Sequence, residues 1–96
     1  MTPLFDAHNH LHDERLLHRL PKLLPAMREA RIGHCVVNGT SQDDWPRVIS
    51  LARRYPDLVQ PSLGLHPWMI EGRSPDWLEQ LKCTLAQRSG TIFLGE

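Results

Sequence analysis

The 96-residue sequence has little of what several specialised classes of protein require. Its two cysteines, Cys35 and Cys83, are far apart and form no CxxC pair, so neither a zinc knuckle nor a redox motif is available. Cys35 sits in His34-Cys35-Val36-Val37 and reads as a small buried apolar residue. Neither sign of charge is in excess. With 11 basic against 11 acidic residues, the electrostatic footprint of tight nucleic-acid binding is missing, which argues against a packaging or architectural role on DNA. An enzyme that meets phosphates at one site through metal ions remains compatible with that balance. No apolar run approaches the roughly 20 residues that span a bilayer. The opening MTPLFDAHNH has no basic start followed by an apolar core, so a secretory signal is not expected. Repeats and low-complexity stretches are lacking as well. These absences together predict a globular protein in a reducing, cytoplasmic setting, with no membrane partner.

What is present is histidine. Six stand at positions 8, 10, 12, 18, 34 and 66. Around them, short apolar runs alternate with longer amphipathic ones. Leu4 to His8 reads as a first strand, and His34 to Asn38, rich in β-branched residues and ended by Gly39, as a second. Leu58 to Leu65 gives a third and Thr91 to Gly95 a fourth. Leu23, Leu24, Met27, Ala30 and Ile32 recur at helical spacing, predicting a helix over about 22–32 with Gly33 as its C-cap. Ser41 or Asp43 can cap a second helix, whose stripe of Trp45, Val48, Ile49 and Ala52 ends at Tyr55-Pro56. Ser74-Pro75 opens a third, carrying Trp77, Leu78, Leu81 and Leu85. The order β-α-β-α-β-α-β, with short connections, predicts a parallel α/β sheet. It fits either a doubly wound sheet or half of a (β/α)8 barrel, which typically needs about 250 residues.

Both architectures bind ligands at the carboxyl ends of their strands. Those ends deliver His8 and His10, then Asn38-Gly39-Thr40-Ser41, then His66, and finally Glu96. In a regular strand Asp6, His8 and His10 project to one side. Two imidazoles so placed can share a cation, and Asp6, one pleat deeper, can accept the other ring N–H of a ligating histidine. The competing reading is a surface loop with incidental histidines, and the strand context favours the metal. Glu96 means nothing alone. Beside the first-strand motif it becomes a candidate ligand, since a carboxylate can bridge two cations. His66 is held extended by Pro67, and either contacts a substrate oxyanion or phosphate or bonds within its loop. His12, His18 and His34 are assigned structural places: His12 past the strand end, His18 in a helical or irregular stretch, His34 at the entry to the second strand.

Four motifs in order carry a family resemblance: Phe5-Asp6-Ala7-His8-Asn9-His10-Leu11, Val37-Asn38-Gly39-Thr40-Ser41, Gly64-Leu65-His66-Pro67 and Leu94-Gly95-Glu96. Together with the helix ending Arg54-Tyr55-Pro56, they make the chain resemble the N-terminal part of the TatD-family hydrolases over essentially its whole length. The resemblance implies a TIM-like metallo-hydrolase barrel, a pair of divalent cations (Mg, Zn and Mn not distinguished) and phosphodiester hydrolysis of DNA. It also implies that His8 and His10 are first-strand metal ligands, Glu96 the bridging carboxylate and His66 the active-site histidine of strand three. His12 departs from the acidic residue common at that place. The family draws two further histidines and an aspartate from later strands. Residues 1–96 are therefore expected to be an incomplete hydrolase domain, strands one to four, with weak metal binding and little turnover alone. DNA or another phosphoester is the expected transient partner, and no stable protein partner is expected. Two other readings stand beside this one. The first is a non-catalytic metal-binding or interaction module. The second is a related amidohydrolase-like enzyme acting on a lactone, amide or phosphomonoester; the lack of a strand-four lysine speaks against its carbamylated-lysine subgroups, and the Gly-x-His-Pro turn points to TatD.

Overall fold

Alternating apolar strands and amphipathic helices need one surface to bury both, and here that surface is one side of a parallel sheet. The computed structural model describes residues 2–87 and 90–95. In chain order its elements are β1 (Leu4–Asn9), α1 (Glu14–Leu17), α2 (Leu20–Glu29), β2 (Ile32–Asn38), α3 (Trp45–Arg54), β3 (Val59–Leu63), a 3-10 turn (Pro67–Met69), α4 (Trp77–Gln87) and β4 (Phe93–Leu94). All three strand pairings are parallel and the sheet order is β1-β2-β3-β4. Strictly sequential order decides between the two architectures. A doubly wound sheet reverses direction at a switch point, whereas a barrel adds each strand beside the last. This is the N-terminal half of a TIM-like barrel.

The core lies between the sheet and its helices. Cys35 and Val37 of β2, Val59 and Leu63 of β3, and Trp45, Val48, Leu51 and Ala52 of α3 are all buried. Leu20 of α2 and Leu81 of α4 close its flanks. Each fully buried branched side chain contributes about 1.5–3 kcal/mol relative to exposure. The opposite side is more open, as period-two alternation requires. There Phe5 is 59% exposed and its ring lies 5.9 Å from that of His34. No helix among the described residues is long and apolar enough to cross a membrane.

Several boundaries differ from the sequence expectation. The helix expected at about 22–32 spans Leu20–Glu29 and is capped by Ala30. Pro21 sits in its first turn, where a missing N–H costs nothing, although Pro25 lies inside it. The left-handed position after this helix belongs to Arg31, φ 66°, and not to Gly33. The chain thus turns two residues early, so β2 starts at Ile32, two residues ahead of the expected His34. Glycine in place of Arg31 would have been the legible signal, because side chains seldom adopt positive φ. A short helix absent from the expectation, α1, forms where Asp13 caps it by accepting from the Arg15 N–H at 2.9 Å.

The pairing of β1 with β2 positions the candidate site. Phe5 pairs with His34, Asp6 with Cys35 and Asn9 with Val37. Between the last two pairs β1 advances three residues while β2 advances two, so β1 carries one extra residue. An inserted residue re-aims every side chain beyond it. Asp6 and Asn9 consequently share the side of Cys35 and Val37, and the Asn9 amide donates to Asp6 Oδ2 at 2.9 Å. His8 and His10, on either side of Asn9, go to the opposite side.

Candidate metal centre

The carboxyl ends of β1, β2 and β3 meet at one open cleft of about 500 Å³, whose lining includes His10, Thr40, Asp44, Arg47, His66 and Trp68. Of the residues singled out in sequence, His10 and His66 share this cleft. His8 stands beside His10, with ring centroids 5.2 Å apart and planes at 84°. Two imidazoles sharing a tetrahedral ion through bonds of about 2.1 Å have centroids about 5 Å apart, so the spacing suits a common cation. Among the described residues no group of three or more His, Cys, Asp or Glu is arranged to hold a metal. Glu96, the expected third ligand, lies outside the described residues.

His10 shows how the backbone prepares such a ligand. Its Nδ1 is 2.8 Å from the carbonyl oxygen of Asn38. A carbonyl only accepts, so Nδ1 carries the proton and the lone pair sits on Nε2. This is the orientation and tautomer that an outer acceptor imposes on a metal-binding histidine. Asp6, expected to supply such an acceptor, instead receives the His8 backbone N–H at 3.2 Å and the Asn9 amide. The inserted residue in β1 is the cause, since it turns Asp6 away from the side His8 and His10 face.

His66 has the reverse arrangement. Its Nδ1 accepts the Trp68 backbone N–H at 3.1 Å, which requires the proton on Nε2. The ring therefore presents an N–H donor, suited to an anionic oxygen. Its backbone is extended, φ −62° and ψ 142°, as a residue before proline should be. The Trp68 ring, 87% exposed, braces it edge-on at 5.0 Å. Two cations also line the cleft: Arg15 is paired with Asp13 at 2.8 Å and Arg47 with Glu14 at 3.2 Å.

Sequence reasoning missed Asp44. The sequence offers Ser41 or Asp43 as helix cap, yet Asp44 occupies that position and is buried. Its carboxylate does not cap the helix's own amides. It accepts from the Thr40 N–H (2.8 Å), the Thr40 hydroxyl (2.7 Å), the Ser41 N–H (3.2 Å) and His12 Nε2 (3.0 Å). Burial pushes this carboxyl up, but the bonds from His12, Thr40 and Ser41 outweigh it and hold the group down at about 2. His12 is itself 2% exposed. The Thr40-x-x-x-Asp44 turn was a local signal, but nothing marks the bond to His12 across 32 positions.

A profile of the TatD-related DNases matches residues 5–96 of this sequence. The chain belongs to the TatD family. Among curated proteins it is 38% identical over 63 residues to a metal-dependent hydrolase of Mycoplasma genitalium, covering 66% of this chain and 24% of that protein. It is 38% identical over 64 residues to the Escherichia coli metal-dependent hydrolase YjjV, covering 67% and 24%. With the Cut9-interacting protein scn1 of Schizosaccharomyces pombe the figures are 37% over 68 residues, 71% and 18%. The matched region thus spans about a quarter or less of each relative. Seen as a TatD protein, the chain contributes the first half of the barrel rim, with two histidines at its first strand and a third at its third.

Proposed function

We propose that this chain is part of a divalent-metal-dependent hydrolase of phosphodiester bonds, with DNA as substrate. The observation that supports it most is the His10–Asn38 bond, which puts the lone pair on Nε2 of a ring whose centroid lies 5.2 Å from that of His8, at the rim that also carries His66. His8 and His10 would hold the cation, joined by Glu96, and a complete site would take two ions. When bound, such ions supply Lewis acidity toward a phosphoryl oxygen and lower the pKa of water. The chain's own residues do the remainder. His66 donates its Nε2–H to a phosphoryl oxygen, which orients the substrate, while Trp68 fixes the tautomer that makes this possible. The arginines are largely offset by Asp13 and Glu14, so recognition is confined to the site and not spread along a basic groove.

Calorimetric titration with Mn²⁺ and Zn²⁺ tests the assignment. His8→Ala and His10→Ala should each weaken binding at least about 10-fold, while His66→Ala should leave metal affinity intact and reduce phosphodiester affinity. Unchanged metal binding in both strand-one variants would refute it. The reading as an interaction module draws on the name of the fission-yeast relative. Chelator-sensitive cleavage of an oligonucleotide separates the two readings.

A further inference from the structure

We propose that Asp44 is a positioning residue for His66, acting by clamping the loops that follow β1, β2 and β3. The inference rests on the hydrolase reading above for the role of His66, but not for the clamp itself. Asp44 gathers donors from two loops: His12 after β1, and Thr40 and Ser41 after β2. The third loop is joined through Thr40, whose carbonyl oxygen accepts the His66 N–H at 2.8 Å. The next residue completes the hold, because Trp45 Nε1–H donates to the Gly64 carbonyl at 2.8 Å. Two consecutive residues at the start of α3 thus pin the His66 turn from both sides.

A buried carboxylate needs its donors, and these donors need it. At 6% exposure, removing the charge would strand the Thr40 and Ser41 amides in a place water scarcely reaches. Gly39 shows how closely the turn is packed: a Cβ there would lie 2.9 Å from Trp45 Cδ1 and 3.2 Å from Asp44 Oδ1. Freed from Asp44, Thr40 can rotate its carbonyl away from His66, and the imidazole loses its fixed direction. His10 is held separately, through Asn38. The clamp should therefore govern phosphate binding and leave metal binding nearly untouched.

The test is a double-mutant cycle of Asp44→Asn with His66→Ala, read by affinity for a dinucleotide phosphodiester and by Mn²⁺ affinity. The expected result is a loss of about 10-fold in phosphodiester affinity for Asp44→Asn, within the range typical of orienting groups. In the His66→Ala background that loss should vanish, with Mn²⁺ affinity within about 2-fold throughout. Multiplicative losses would overturn the proposal, since a purely structural Asp44 would act independently of His66. Imidazole ¹⁵N NMR of the metal-free protein gives a readout independent of the hydrolase reading. His66 should show one Nε2–H tautomer in the parent and averaged signals in Asp44→Asn, and an unchanged spectrum would also overturn the clamp. If Asp44→Asn does not fold, Thr40→Val, which removes only the hydroxyl donor, carries the same cycle with the same criterion. If His66→Ala leaves phosphodiester affinity unchanged, the role given to His66 falls while the NMR still decides the clamp.

Discussion

Acid should weaken this protein through Asp44 in a defined window. The folded carboxyl is held at about 2 against an ordinary 3.8, because the hydrogen bonds from His12, Thr40 and Ser41 more than offset the opposing effect of burial. A carboxyl depressed on folding adds stability that is complete above its unfolded pKa and disappears as pH falls through the folded one. At about 1.4 kcal/mol per pKa unit, the contribution is about 2 kcal/mol, present above pH ~5 and lost between pH ~4 and ~2. Asp13 and Asp76 are also depressed, by hydrogen bonds from Arg15 and from Ser74 respectively, and add an acid dependence of their own. The comparison must therefore be with Asp44→Asn, which keeps those groups and removes only this titration. Urea unfolding from pH 6 to pH 2 should show the stability gap between parent and variant shrinking by about 2 kcal/mol on acidification. A gap that stays constant over that range would refute the account of Asp44 as an ionised, multiply bonded carboxylate.

Two further outcomes follow from the core. Trp45→Phe removes the Nε1–H bond to Gly64 and part of a ring that is 2% exposed, so it should cost about 2–4 kcal/mol by urea denaturation. A midpoint unchanged from the parent would show that the bond is not a structural tie. Cys35 is fully buried and burial pushes its thiol up, whereas Cys83 is exposed. A thiol-specific reagent should therefore modify one cysteine quickly under native conditions and the second only with denaturant.

The sequence reading succeeded where the controlling physics is local. Trp45, Val48, Ile49 and Ala52 face the sheet because helical periodicity puts them on one stripe, and all four are buried. The strand-end rule likewise brought His10 and His66 to one rim, for it follows from parallel topology alone. The errors came where distant partners decide. Unbroken strand alternation predicts Asp6 on the side of His8 and His10, and only pairing with β2 reveals the inserted residue. Residue preference points to Gly33 for the left-handed position, and Arg31 two positions earlier carries no local sign of it. Asp44 is not legible locally because its chief distinction, a buried imidazole 32 positions away, leaves no trace in neighbouring residues.

The extra residue in β1 has a consequence for how this motif can change. At this chain length the extra residue puts Asp6 and the two imidazoles on opposite sides, and side-chain identity at the exposed Ala7 has no bearing on it. Exchanging Ala7 for another small residue leaves the histidines where they are. Deleting it would restore an even pleat while still leaving Asp6 and Asn9 on the side of Cys35 and Val37 and both imidazoles on the other. Which side the rings take is thus set by the pairing of Asn9 with Val37, which the letters of the motif do not express.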